Sequence, residues 1–175
     1  MITTNLTIQW LETTLRSHSG ENHEGLGSSP PAAVSLLFHM TDGELCVLMI
    51  KRAETLRHHS GEWAFPGGKI DATDESSMAA ALRETKEELG IDASDIDIWC
   101  GMAPVDTSTG FEVWPYAGRV VDNVKLMPEP GEVAEVVSVP VRVFVDEVSR
   151  RTMTIIRNGR TRKLVAYAYE DRIIW

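Results

Sequence analysis

Between Gly67 and Ile91 the chain reads GGKIDATDESSMAAALRETKEELGI, and no other stretch constrains the fold as tightly. The spacing predicts a helix over 75–89, with Met78, Leu82, Thr85 and Leu89 on one face and Gly90 as its stop. At about 100° per residue, Glu84, Glu87 and Glu88 fall within an arc of about 100°. They share a face opposite much of the Met78/Leu82/Leu89 stripe. Carboxylates at this spacing repel, each i,i+4 pair by a few tenths of a kcal/mol. A hard divalent cation turns that repulsion into oxygen coordination. Taken alone, the pattern favours a solvated acidic face screened by Arg83 and Lys86. The preceding Gly67-Gly68 shifts the balance. Glycines allow close backbone approach, and an irregular loop feeding a carboxylate helix is what a metal-diphosphate site requires.

The rest of the chain reads as strands with few helices. Ile8, Leu11 and Leu15 at helical spacing predict a short amphipathic helix over 7–17. The polar stretch 17–31, rich in Gly and Ser, predicts a loop or flexible linker, so residues 1–31 form a helix and loop ahead of one domain over 32–175. Strand-like runs at 32–39 and 45–50 flank Asp42-Gly43, a hairpin signal. Residues 53–61 read as irregular, 62–65 as a short strand, and 96–105, 111–121 and 133–139 as strands. A short helix is expected over 141–149, and 151–157 and 162–169 flank Asn158-Gly159, a second hairpin signal. Mixed strands with one or two helices on the sheet faces give an α/β (α+β) sandwich.

The formal net charge is −9, the wrong sign for a general nucleic-acid binder, so no nucleic-acid partner is expected. An anionic small molecule remains compatible if metal ions and local Arg or Lys residues carry its charge. No apolar run approaches the roughly 20 residues of a membrane span, and no membrane partner is expected. The first residues lack the basic and apolar regions of a signal peptide, and Cys46 and Cys100 read as buried free thiols. Together these favour a cytoplasmic, reducing setting.

Residues 67–91 resemble the Nudix signature, Gly-x5-Glu-x7-Arg-Glu-U-x-Glu-Glu-x-Gly-U, where U is bulky and apolar. Arg83, Glu84, Glu87, Glu88, Gly90 and Ile91 match at every fixed position of the helical half, and Thr85 replaces the first bulky apolar residue. Counting forward from Gly68 puts Asp74 at the first signature Glu, whereas counting back puts Glu75 there, so the loop is one residue longer. The resemblance implies a Nudix-type α/β/α sandwich with a mixed β-sheet. It also implies a diphosphatase in which Glu84, Glu87 and Glu88, with a backbone carbonyl at Gly68, hold Mg²⁺ or Mn²⁺. Arg83 would be supported by Asp74 or Glu75. Glu132 and Glu135 are later-loop candidates for a general base, or else rim charges.

Upstream, Leu48 to Ala53, then Arg57, Gly61 and Phe65-Pro66-Gly67-Gly68, resemble the pattern of the coenzyme A diphosphatase subfamily, with Met49 and Ile50 departing from it. That resemblance implies hydrolysis of coenzyme A or acyl-coenzyme A, with Arg52, Arg57, Gly67, Gly68 and Phe111 against the substrate. Arg52 and Arg57 are either anion contacts or surface ion pairs; Trp63, Phe111 and Trp114 either stack on adenine or belong to the core. His58 and His59 read as exposed. The alternatives are a Nudix enzyme acting on ADP-ribose, NADH or dinucleoside polyphosphates, and a non-catalytic Nudix-fold binding or regulatory domain. In the subfamily, sequence like Ile173-Ile174-Trp175 leads into a further helix, so a natural short form or a truncated one is expected here. A homodimer is the assembly left open.

Overall fold

The computed structural model describes residues 7–17, 29–56, 59–157 and 160–175. Its elements are α1 (Ile8–Arg16), β1 (Pro31–Thr41), β2 (Glu44–Arg52), β3 (Trp63–Ala64), β4 (Gly67–Lys69), α2 (Ser77–Leu89), β5 (Ile96–Gly101) and β6 (Val105–Asp106). After these come β7 (Glu112–Val120), β8 (Val133–Pro140), α3 (Arg142–Val145), β9 (Arg150–Arg157), β10 (Arg160–Tyr169) and β11 (Arg172–Ile174). Most of the expected loop over 17–31, and the Asn158-Gly159 turn, lie outside the described residues.

An eight-stranded mixed sheet has the order β3-β2-β1-β7-β5, with β4 on β1, β6 on β7 and β8 on β2. Only the β1–β7 pair is parallel among its described ladders. β9, β10 and β11 form a separate antiparallel meander. Alternation along β2 sorts its side chains between two cores. Leu45, Val47 and Met49 join Phe38, Trp99, Ile8, Val143 and Ile174 on one face. Leu48 and Ile50 join Leu37, Leu89, Ile91, Val120 and Val133 on the other. The sheet is therefore a central layer, with α2 on one side and α1, α3 and the meander on the other. This is the expected α+β sandwich with a mixed sheet. Cys46 and Cys100 are buried free thiols, as expected. Among the described residues no helix is long and apolar enough to cross a membrane.

Several expectations need correction. The strand expected over 96–105 breaks into β5 and β6 around Met102-Ala103-Pro104, since proline cannot donate to a ladder. The glycine pair belongs to a strand, β4, that pairs with β1. The larger correction concerns α2. Its buried residues are Ala80, Ala81, Thr85, Glu88 and Leu89, while Met78 is 41% exposed. Counting large apolar side chains missed the alanines. Ala80 and Ala81 let the helix lie close against Ala33 of β1, and that close approach, not the Met78 stripe, sets the rotation of the helix.

Candidate active site

Helix α2 is capped at both ends. Ser76 Oγ accepts from Ala79 N at 3.1 Å, and Gly90, in the left-handed conformation, donates to the Lys86 carbonyl at 2.9 Å. The segment after β7 then tethers its last turn. Met127 N donates to Leu89 O and Glu129 N to Glu88 O, at 2.8 and 3.0 Å, so carbonyls that a helix end leaves free are satisfied. The same segment brings Glu132 toward the helix carboxylates, its carbonyl accepting from Ala53 N at 2.8 Å.

The three glutamates sit at three depths: the Glu87 side chain is 54% exposed, that of Glu84 15% and that of Glu88 1%. Glu88 lies inside the buried face of the helix instead of opposite it. Its Oε2 accepts from Gly67 N at 2.9 Å, and its Oε1 accepts from Arg52 Nη1 at 3.3 Å. Burial pushes the Glu88 carboxyl up to about 7; Gly67 and Arg52 oppose the rise, and Glu84 and Glu132 add to it. Burial likewise raises Glu84, against the pull of Arg83.

The glycine pair explains how the helix comes so close. A Cβ on Gly67 would sit 2.3 Å from the Ala33 carbonyl oxygen, and one on Gly68 2.4–2.5 Å from the Glu84 carboxyl atoms. The Glu84 carboxylate thus occupies the space that a side chain at position 68 would take.

Arg83 organises the outer half of the site. Its Nε and Nη2 donate to Asp74 Oδ1 and Oδ2 at 2.9 and 3.0 Å, a two-point pair, and Nη2 also meets Lys69 O at 3.1 Å. Its Nη1 donates to Glu84 Oε1 and Glu87 Oε2, both at 3.0 Å. Asp74 is therefore the partner of Arg83, and Glu75 is exposed. The longer loop closes on itself, with Asp71 N on Asp74 Oδ2 at 2.8 Å, which returns the Asp74 carboxylate to Arg83. The Arg83 guanidinium, and after it the Asp71 amide, hold that carboxyl below the usual range. Aspartates at both ends of a four-residue segment were the available signal for this turn.

Arg52 stands beside Glu88, within the carboxylate cluster and not at the rim. Arg57 and His58 lie outside the described residues, whereas His59 Nδ1 is 2.6 Å from Glu62 Oε2. Phe111 is half-buried with Lys69 Nζ 5.8 Å from its ring centroid, at the edge of the glycine strand. Trp114 packs on the Ala33/Ala80/Ala81 cluster. The two later-loop glutamates separate. Glu132 is close enough to add its field to Glu84 and Glu88. Glu135 is held at 2.6 Å by Arg172, whose guanidinium lies 5.5 Å from the Trp63 ring centroid. The Arg172 clamp and the buried pair Ser35–Thr85 carried no local sequence signal, because each joins residues far apart in the chain.

The expected convergence of Glu84, Glu87 and Glu88 is only partly met: among the described residues no three acidic, His or Cys side chains already point at one spot. The donor chemistry nevertheless fits a hard divalent cation. Two carboxylates, Glu84 and Glu88, are held against a glycine cradle in a low-dielectric setting where both resist ionisation, and a third, Glu87, is bridged to Glu84 through Arg83.

The NUDIX domain pattern matches residues 29–157. An uncharacterized Nudix hydrolase, NudL, of Photorhabdus laumondii is 34% identical over 129 residues, covering 74% of this chain and 69% of that protein. Among solved structures, an Ap4A hydrolase binary complex from C. elegans superposes with a TM-score of 0.55 at 20% identity, over 63% of this chain and 80% of that one. The NUDIX domain of Shewanella oneidensis NrtR, complexed with ADP ribose, gives 0.54 at 19%, over 80% and 87%. At these identities the structures speak for the fold alone.

Proposed function

Because the chain belongs to the NUDIX domain family and is a Nudix hydrolase, we propose that it hydrolyses the diphosphate of coenzyme A or acyl-coenzyme A, yielding 3′,5′-ADP and (acyl-)phosphopantetheine. The observation that carries this reading is Arg52 standing beside the Glu88 carboxylate at the Gly67-Gly68 strand. In the sequence, Arg52 and that strand both belong to the segment from Leu48 to Gly68 that resembles the coenzyme A diphosphatase pattern. Glu84, Glu87 and Glu88 would hold Mg²⁺ or Mn²⁺, which when bound neutralises diphosphate charge and acidifies a water. Arg83 positions Glu84 and Glu87 through its anchor on Asp74. Gly67 and Gly68 let β4 lie against Ala33 and the Glu84 carboxylate without a side chain between.

In the reaction a water oxygen bonds to one phosphorus, the bridging P–O bond breaks, and the water proton leaves to a base. Glu132 is the group we assign as that base; Glu135 is committed to Arg172. Arg52 offers its guanidinium to the anionic substrate.

The test is product analysis with coenzyme A, ADP-ribose, NADH and diadenosine polyphosphates, each with and without Mg²⁺ or Mn²⁺. Coenzyme A should give the highest kcat/KM, and only with metal. Equal or better turnover of ADP-ribose or a dinucleoside polyphosphate would reject the coenzyme A reading and leave the family membership intact.

A further inference from the structure

Each of the three glutamates on α2 has a cationic or amide partner, but these partners differ in how firmly they are held. Arg83 is fixed by two bonds to Asp74 and one to the Lys69 carbonyl. The Gly67 amide belongs to β4, which is laddered to β1. Arg52 is different. Its backbone is locked, with Arg52 N on Glu62 O and Gly61 N on Arg52 O, both at 3.0 Å. Its side chain, 24% exposed, shows one bond in the site, 3.3 Å long, to Glu88 Oε1. It is the longest of the contacts that reach Glu84, Glu87 and Glu88, and it covers the Glu88 oxygen that Gly67 leaves open.

We propose that Arg52 is a resident counter-ion of Glu88 that competes with the divalent cation for Oε1, and so sets the affinity of the site for metal. The inference rests on the proposed metal site, and it gives Arg52 a role that precedes any substrate contact. With no cation bound, a carboxylate 1% exposed needs a positive partner, and the guanidinium supplies it. When a cation approaches, a guanidinium on a long single bond is the partner that yields, because the arginine stem can swing outward while its strand stays in place. Arg83, anchored on Asp74, cannot yield in this way.

The test is Mn²⁺ binding to the full chain without substrate, read by the electron paramagnetic resonance of free Mn²⁺ at fixed ionic strength. Arg52→Met keeps most of the stem and removes the charge. A charge-assisted bond that must break for metal to enter is worth a factor of roughly ten or more, so Arg52→Met should bind Mn²⁺ tighter by about that factor. Arg52→Lys, which keeps the charge without the planar fork, should fall between. Arg119→Met, which removes a cation paired with Asp122 away from the site, should match wild type. The metal-free Arg52→Met protein should melt lower than wild type, and saturating Mn²⁺ should raise its Tm by more. If Arg52→Met does not fold, tighter Mn²⁺ binding by Arg52→Lys carries the test. Unchanged or weaker Mn²⁺ binding in the folded Arg52 variants would overturn the proposal, since an arginine that merely shapes the site loosens metal when removed. Absence of Mn²⁺ binding by wild type would instead overturn the metal-site reading beneath it.

Discussion

Glu88 shows how one residue can serve a site at the expense of the fold. Its carboxyl stands at about 7 instead of the ordinary 4.5, chiefly because burial disfavours the charged form. Between those two values the folded chain holds a proton that the unfolded chain has released. Unfolding free energy therefore falls as pH rises through this window and levels off above about 7. The loss is on the order of 3 kcal/mol if the shift is fully expressed. Glu88→Gln cannot ionise and escapes it. In metal-free buffer with a chelator, the Tm of wild type relative to Glu88→Gln should fall by several degrees between pH 5 and pH 8, and excess Mn²⁺ should recover much of the gap at pH 8. A difference between the two proteins that does not change with pH would mean that Glu88 ionises freely and that its burial carries no electrostatic cost.

At the scale of elements, the seam between α2 and β1 is unusual in being polar at its centre. Ser35 and Thr85 are both fully buried; Thr85 Oγ1 lies 2.9 Å from Ser35 Oγ and 2.8 Å from the Ala81 carbonyl. This explains why a threonine stands where the family signature has a bulky apolar residue: the volume and the hydrogen bond are matched from the facing strand. Thr85→Leu should cost about 1–3 kcal/mol by overpacking. Ser35→Ala should cost about 1 kcal/mol, because Thr85 keeps the Ala81 carbonyl. Joined in one protein, the two changes should cost clearly less than their sum, since the smaller residue makes room for the larger. Urea unfolding of the two single variants and the double variant measures this, and strictly additive losses would rule the matched-seam account out.

Over the whole molecule, the meander and the main sheet are joined at Arg172. Its guanidinium pairs with Glu135 on β8 and with Glu170 in its own turn, and lies on the Trp63 ring on β3. β3 leads directly into the glycine strand, so the clamp braces the approach to the site from the far side of β2. Arg172→Ala should lose about 1–2 kcal/mol, or roughly 3–8 °C in Tm, and Arg172→Lys should recover the ion pair better than the stacking. An unchanged Tm in Arg172→Ala would show that the meander docks through its apolar contacts with α3 and the core alone.

What the sequence determined by itself was local. The period that makes α2 a helix, the Gly90 stop, the Asp42-Gly43 turn and the spacing of Glu84, Glu87 and Glu88 involve residues within a turn or two of one another, where backbone geometry leaves few options. Tertiary structure decided everything that depends on a distant partner. It chose Asp74 over Glu75 for Arg83, because the closed 71–74 loop returns one carboxylate and leaves the other in solvent. It sank Glu88 and lifted Met78 out, because Ala80 and Ala81 admit the helix close to Ala33. It sent Glu132, the last residue before β8, to the carboxylates, and Glu135, within that strand, to Arg172. The physical reason is the same in each case. A side chain's role follows from burial and from its partner's charge, and both are set only when strands and helices distant in sequence pack together.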